Sequence, residues 1–81
     1  MMDVTIKCFS QVKYALGMNE LNLTVDDGLT TTELEKLIRE KAKGKLDGVS
    51  LRVSVNQKYV PHVIKLKDGD EVAFIPPVQG G

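Results

Sequence analysis

Apolar and polar residues alternate twice within the first 25 residues. The apolar positions are Val4, Ile6 and Cys8 in the first run and Leu21, Leu23 and Val25 in the second. Because side chains of a strand point alternately to opposite faces, each run is predicted to be a half-buried strand, the first over residues 3–9. Ser10 and Gly17 predict the start and the end of a short helix between them. The two strands are expected to pair as an antiparallel hairpin.

The middle of the chain has the period of a helix instead. Its apolar positions are Leu34, Leu37, Ile38 and Ala42, with charged residues between them. This spacing predicts one amphipathic helix with a single core-facing side. Thr30 and Glu33 have the spacing of a capping box, which marks the start of the helix. Gly44 is placed to end it.

Strand patterns return after this helix. Residues 51–55 alternate, residues 56–58 suggest a turn, and Pro61 limits a short strand around Tyr59 and Val60 to the edge of a sheet. A turn at 68–70 leads into a last strand over 71–75. Sheet segments on both sides of one amphipathic helix predict an α+β fold, with a mixed sheet wrapped over that helix.

Composition adds limits to this picture. The chain has 81 residues, 42% of them hydrophobic and 27% charged, which is typical of one globular domain. Eleven basic and eleven acidic residues balance, so neither a nucleic acid nor a membrane surface is an expected partner. The single cysteine cannot form an internal disulfide, which favours a reducing compartment, the cytosol.

The C-terminal residues after the last predicted strand carry the strongest functional signal. They are Pro76, Pro77, Val78, Gln79, Gly80 and Gly81. The prolines favour an extended chain, and the glycines let the backbone approach another surface closely. The predicted organisation is therefore a domain over 1–75 and a C-terminal tail over 76–81 that presents an α-carboxylate.

Several of these segments resemble a known family. The run Val55-Asn56-Gln57, the segment from Gly69 to Gly81 and the start Cys8-Phe9-Ser10-Gln11-Val12 are similar to the small subunit of molybdopterin synthase, the MoaD family of sulfur carriers. The resemblance implies a ubiquitin-like β-grasp with a flexible C-terminal Gly-Gly tail. The last 13 residues, 69–81, are its most specific part, because Gly-Gly alone is shared with other carriers and with ubiquitin.

The resemblance also implies a chemistry. In the family, an ATP-dependent adenylating and sulfurating enzyme joins AMP to the terminal carboxylate, here that of Gly81, and sulfur then replaces AMP to form a thiocarboxylate. The thiocarboxylate attacks a pterin precursor held by the large synthase subunit, within a heterotetramer. Gly81 would thus carry AMP and then sulfur, with no bound cofactor and no metal, and the catalytic residues would lie on the large subunit.

Three residue sets suggest other chemistry less strongly. Cys8 shares the parity of Val4 and Ile6, so it is interpreted as a core residue and not as a nucleophile. His62 stands beside Pro61 without a second residue at metal-ligand spacing and is interpreted as a surface histidine. Asp68 and Asp70 flank Gly69 and are interpreted as turn formers.

Strand parity predicts a docking surface beside the tail. If Cys8 and Phe74 point inward, Phe9 and Ile75 point outward, and Tyr59 lies on the edge segment. We expect these three large side chains to form one exposed patch that binds the large subunit.

Two alternatives stay open at this stage. The chain could serve another sulfur pathway, such as thiazole synthesis for thiamine or tRNA thiolation. It could also be a ubiquitin-like protein modifier whose Gly81 is joined to a lysine.

Overall fold

A computed structural model describes residues 1–76 of the chain. Its elements, in chain order, are β1 (Met2–Cys8), α1 (Ser10–Leu16), β2 (Glu20–Val25), α2 (Thr31–Lys41), β3 (Arg52–Val55), β4 (Lys58–Tyr59) and β5 (Glu71–Ile75). The strands form one five-stranded sheet in the order β2-β1-β5-β3-β4. β1 and β5 are parallel, and the other neighbours are antiparallel. The predicted mixed sheet is confirmed, and β4 is an edge strand as Pro61 indicated.

The core lies between one face of this sheet and α2. Every second residue of β1 is buried, and Val72 and Phe74 of β5 face the same side. Leu34 and Ile38 of α2 are fully buried in the same hydrophobic cluster. Burial of each such side chain stabilises the fold by about 1.5–3 kcal/mol. The inward parity predicted for Cys8 and Phe74 is confirmed.

The start of α2 forms as predicted. The Glu33 amide donates to the Thr30 hydroxyl at 3.2 Å, and the Thr30 amide donates to the Glu33 carboxylate at 3.0 Å. The bond from the Thr30 amide, with a second from the Thr30 hydroxyl to the same carboxylate, holds the pKa of Glu33 below its usual value. The reciprocal capping box is confirmed.

Arg39 fixes the segment that follows α2. Its guanidinium donates to the Glu35 carboxylate at 2.9 Å and to the carbonyl oxygens of Leu46 and Val49 at 2.6 Å each. Leu46 is itself fully buried. One side chain thus attaches the turns between α2 and β3 to the helix, and this limits where β3 enters the sheet.

Three local predictions are wrong. The helix α1 spans Ser10–Leu16 as predicted, but its N-cap is Phe9 and not Ser10, and it has no side-chain cap bond. The helix α2 ends at Lys41, and Gly44 lies in the following turn at φ +86°. Leu37 is 36% exposed, because the apolar stripe of α2 is wider than the part of it that the sheet covers.

Candidate functional site

One side chain from each of the five strands lies in a row across the outer face of the sheet. The strand registers place Glu20, Lys7, Ala73, Ser54 and Tyr59 side by side in that order. The row has an ion pair at one end, two small side chains in the centre and an aromatic ring at the other end. The small central residues leave room above the sheet for another molecule.

A shallow depression of about 280 Å³ occupies this room. Ala73 and Ser54 are only 8% and 7% exposed, although they lie on the outer face, and they form its floor. Phe9 is 50% exposed and Tyr59 is 63% exposed. The remaining lining residues are Lys7, Gln57, Glu71 and Ile75. The structure thus brings together Phe9, Tyr59 and Ile75, while their role in binding stays a prediction.

The start of α1 holds Phe9 in position. As N-cap it keeps an extended backbone (φ −127°, ψ 150°), and its carbonyl oxygen accepts from the Val12 amide at 3.1 Å. Val12 is fully buried and anchors this turn, while Gly17 closes the helix with a left-handed φ of +72° that favours glycine. The backbone of Phe9 is therefore fixed and its ring is left at the surface.

The tight β3–β4 turn positions Tyr59. Asn56 and Gln57 both have left-handed φ values, +50° and +70°, as a two-residue hairpin turn requires. The Asn56 side chain accepts from the Glu71 amide and donates to the Asp70 carboxylate, each at 3.0 Å. The hairpin that carries Tyr59 is thereby attached to the start of β5.

Ile75 is the last residue of β5 and is half-buried in the depression. Pro76 follows it and is the last residue that the structure describes. The predicted tail residues Pro77, Val78, Gly80 and Gly81 lie outside the described residues, so the division at 75/76 stays a prediction.

Lys7 and Glu71 are the charged residues among those that line the depression. The Lys7 ammonium pairs with the Glu20 carboxylate, and this hydrogen bond and charge raise the pKa of Lys7, with a smaller contribution from Glu71. Lys7 thus stays cationic beside an apolar patch. Apolar anchors with a charged rim are the usual composition of a protein-binding surface.

The other candidate side chains do not build a second reactive site. Cys8 is buried, and burial, followed by the Glu20 charge, raises the pKa of its thiol. His62 is exposed. Asp68 accepts from the Asp3 amide at 2.7 Å and Asp70 from the Lys67 amide at 2.8 Å, so the turn-forming interpretation is confirmed.

Within residues 1–76, no group of three His, Cys, Asp or Glu side chains is arranged to hold a metal ion. Neither helix in this range has the length and apolar character needed to cross a membrane.

Sequence reasoning found the three large residues of the depression and missed its floor. Ala73 and Ser54 are neighbours because β3 pairs with β5, and these two strands lie far apart in the sequence. One signal was available: Ala73 has the same parity as Ile75 in β5, so it also had to point outward.

Comparison with known proteins places this geometry in a family. The model of the ThiS family matches residues 6–81. The chain is 38% identical over 84 residues to the molybdopterin synthase sulfur carrier subunit of Chlamydomonas reinhardtii, covering 99% of this chain and 100% of the relative.

Two solved structures extend the comparison. The complex of subunits 1 and 2 of the molybdopterin-converting factor from Helicobacter pylori contains a chain with 28% identity and a TM-score of 0.68, with coverage of 99% of this chain and 100% of that one. Small archaeal modifier protein 1 from Methanosarcina acetivorans has 26% identity and a TM-score of 0.78, with coverage of 100% and 98%. The fold is the ubiquitin-like β-grasp, as the resemblance implied.

Proposed function

Since this chain belongs to the ThiS family, we propose that it is the sulfur carrier subunit of molybdopterin synthase. The similarity to the Chlamydomonas relative extends over 99% of the chain. The family match also reaches Gly81, so it includes the Gly-Gly end on which the function depends. The observation that carries the proposal is the depression at the end of β5, which Ile75 lines, because the sequence continues from Ile75 to the Gly-Gly end.

The proposed reaction takes place at the Gly81 carboxylate. A carboxylate is a poor electrophile, so one of its oxygens first attacks the α-phosphate of ATP, and pyrophosphate leaves. A sulfur nucleophile from the adenylating and sulfurating enzyme then attacks the carbonyl carbon and displaces AMP. The sulfur of the resulting thiocarboxylate attacks an electrophilic carbon of the pterin precursor and forms a thioester. Water then cleaves the acyl–sulfur bond, which leaves the sulfur on the pterin and restores the terminal carboxylate.

The described residues support a carrier role and not a catalytic one for this chain. The thiol of Cys8 is buried and its pKa is raised, so it is a poor site for a transferable sulfur. Cys8 is the single cysteine of the sequence and its thiol is free and buried, which is consistent with the reducing environment of the cytosol. The groups that catalyse activation and transfer are expected on the adenylating enzyme and on the large subunit.

The large subunit is proposed to bind at the depression. Phe9 and Tyr59 provide exposed aromatic rings, and Ile75 leads directly into the tail. The Helicobacter relative was solved in complex with subunit 2 of its converting factor. Binding here would direct the tail into the partner's active site.

A second candidate function has support of its own. The likeness to a small archaeal modifier protein favours a role in which Gly81 is joined to a lysine of another protein. The intact mass of chain purified from its native cell separates the two functions. Exchange of oxygen for sulfur at the terminus supports the carrier, in this pathway or in thiamine or tRNA thiolation, whereas a branched peptide at a lysine supports the modifier.

Deletion of Gly81 is the direct test of the proposed function. One lost residue shortens the tail by about 3.3–3.6 Å, which matches the whole near-attack distance of about 3–3.5 Å. We expect loss of sulfur transfer in a reconstituted synthase assay, with an unchanged circular dichroism spectrum. The matched control is Gln79→Asn, which keeps the tail length and should keep transfer. Normal turnover by the shortened chain would exclude a carrier role for Gly81.

A further inference from the structure

A second surface lies at the opposite edge of the sheet from Tyr59. Among residues 1–76, β2 has a strand on one side only. The Cys8 amide donates to the Asn19 carbonyl oxygen at 2.9 Å, and backbone groups of an antiparallel pair point alternately towards and away from the partner strand. The Asn19 carbonyl points towards β1, and so do the backbone groups of every second residue after it. The backbone groups of the residues between them, Glu20, Asn22 and Thr24, point away from β1. This edge is six residues long and offers three N–H donors and three carbonyl acceptors.

An open groove of about 510 Å³ adjoins this edge, between the end of β2 and α2. Its apolar lining includes Val25, the half-buried Leu29 and the side chain of Leu37. Leu37 is the residue of the apolar stripe of α2 that the sheet leaves 36% exposed. The groove is therefore an extension of the core that the described chain does not fill.

Carboxylates predominate on the rim of the groove. Asp26, Glu33 and Glu40 line it, against the ammonium of Lys36 and the N-terminal ammonium of Met1, which pairs with Asp27 at 3.3 Å. An apolar groove with such a rim attracts an apolar segment that carries basic residues. A second copy of this chain fits less well, because pairing through β2 would bring two acidic rims towards each other.

We propose that the β2 edge and its groove bind an extended peptide segment of a partner protein, with apolar side chains at alternate positions and lysine or arginine beside them. The segment would add a strand to the sheet through the backbone groups of Glu20, Asn22 and Thr24. Its inward side chains would enter the groove against Leu37, and its basic side chains would reach the rim carboxylates.

The outer face of β2 is compatible with an added strand. The side chains of its three edge residues are already hydrogen-bonded to β1: Glu20 to Lys7, Asn22 to Thr5 at 2.9 Å and Thr24 to Asp3 at 2.7 Å. They therefore leave the backbone edge accessible. Since this edge and the Tyr59 edge bound opposite sides of the sheet, both surfaces can be occupied at once.

The experiment uses the full chain, labelled with nitrogen-15, and a short blocked peptide of alternating valine and threonine with a lysine at each end. Titration is expected to shift the amide signals of Glu20, Asn22, Thr24 and Leu37. A peptide with glutamate in place of both lysines is the matched control and should bind more weakly. Added salt should weaken the lysine peptide.

Three variants test the separate parts of the surface. Asn22→Pro removes an edge donor at a position where an edge strand tolerates proline. Leu37→Ser removes the apolar contact, with Tyr14→Ser, an exposed aromatic on α1 (81%), as its control. Glu40→Lys reverses a rim charge and should weaken peptide binding about threefold. The last two variants keep the test decisive if Asn22→Pro does not fold.

Four results would each overturn the proposal. The glutamate peptide could bind as tightly as the lysine peptide. The shifts could cluster around Phe9 and Tyr59 instead. Sedimentation could show that the free chain dimerises and that Asn22→Pro abolishes the dimer. Finally, the titration could show no saturation at about 1 mM peptide, an affinity too weak for a specific site. None of these results bears on sulfur transfer at Gly81, so the inference fails or stands independently of the proposed function.

Discussion

Both faces of the sheet arise from the same alternation of side chains along each strand, but large side chains fill the centre of one face and small side chains fill the centre of the other. On the inner face, large side chains such as Phe74 and Ile6 meet Leu34 and Ile38 of α2 and lose all contact with solvent. On the outer face, the centre is made of Ala73 and Ser54, and the aromatic rings of Phe9 and Tyr59 stand at the margin, 50% and 63% exposed. Placing small residues at the centre of a sheet face keeps that face open for a partner. Placing large ones there closes it.

The sharpest way to break this comparison is to truncate one aromatic residue from each face. Phe74→Ala should lower the free energy of unfolding by about 3–5 kcal/mol, because it removes a fully buried ring and leaves a cavity. Phe9→Ala is the matched control, with the same chemical change on the outer face, and should cost less than about 1 kcal/mol. Urea unfolding measures both. Equal losses would show that the outer face also contributes to the core.

A smaller effect is expected when a charge is placed on the outer face. Ile75→Asp should weaken binding of the large subunit by about 2 kcal/mol or more, roughly thirtyfold, because the carboxylate would be buried there without a partner. Titration calorimetry measures the affinity and thermal melting of the free chain measures the fold. Tyr14→Asp, on a helix outside the depression, is the control and should leave binding unchanged.

The two readouts separate the explanations for Ile75→Asp. An unfolded variant would mean that Ile75 belongs to the inner face. A folded variant with normal binding would show that the docking surface lies outside the depression. Only the function assigned to the C-terminal tail would then remain.

The smallest effect concerns the helix on which the inner face rests. Thr30→Ala removes the cap of α2 and should cost about 1 kcal/mol. Its partner Glu33 has a lowered pKa in the folded state, so its contribution is complete above the unfolded pKa, near 4.3, and is lost as the pH falls through the folded value.

Glu33→Gln isolates that pH dependence, because glutamine keeps the capping acceptor and does not titrate. The stability advantage of the parent over this variant should shrink as the pH falls below about 5. Chemical unfolding at a series of pH values measures it. A constant difference would mean that the charge of Glu33 does not contribute to the cap.

Local patterns were sufficient for most of the fold. The capping box, the last strand and the inward parity of Cys8 all depend on neighbours within a few residues, and all were predicted from them. Phe9 as N-cap was missed because serine is the stronger cap by propensity, whereas here the backbone stays extended through Phe9, the residue after β1, and the helix begins at Ser10 itself.

The floor of the depression and the groove could not be predicted in the same way. Ala73 and Ser54 meet only through pairing between strands that are far apart in sequence. The exposure of Leu37 depends on how far the sheet extends over α2, and the helical period of the sequence carries no information about that extent. The three docking candidates were found because parity within one strand is a local property, while their assembly into one surface needed the strand order.

The position of β5 has a consequence for how the protein is made. It lies at the centre of the sheet, between β1 and β3, yet it comes last of the described strands along the chain. Without residues 71–75 the sheet would be two separate pairs, and an isolated two-stranded pair is marginally stable at best. A growing polypeptide therefore cannot complete its sheet on the ribosome until these residues have emerged. Folding must follow synthesis of nearly all the described chain. A polypeptide whose synthesis stops before residue 71 is expected to stay unfolded and to be degraded by proteases.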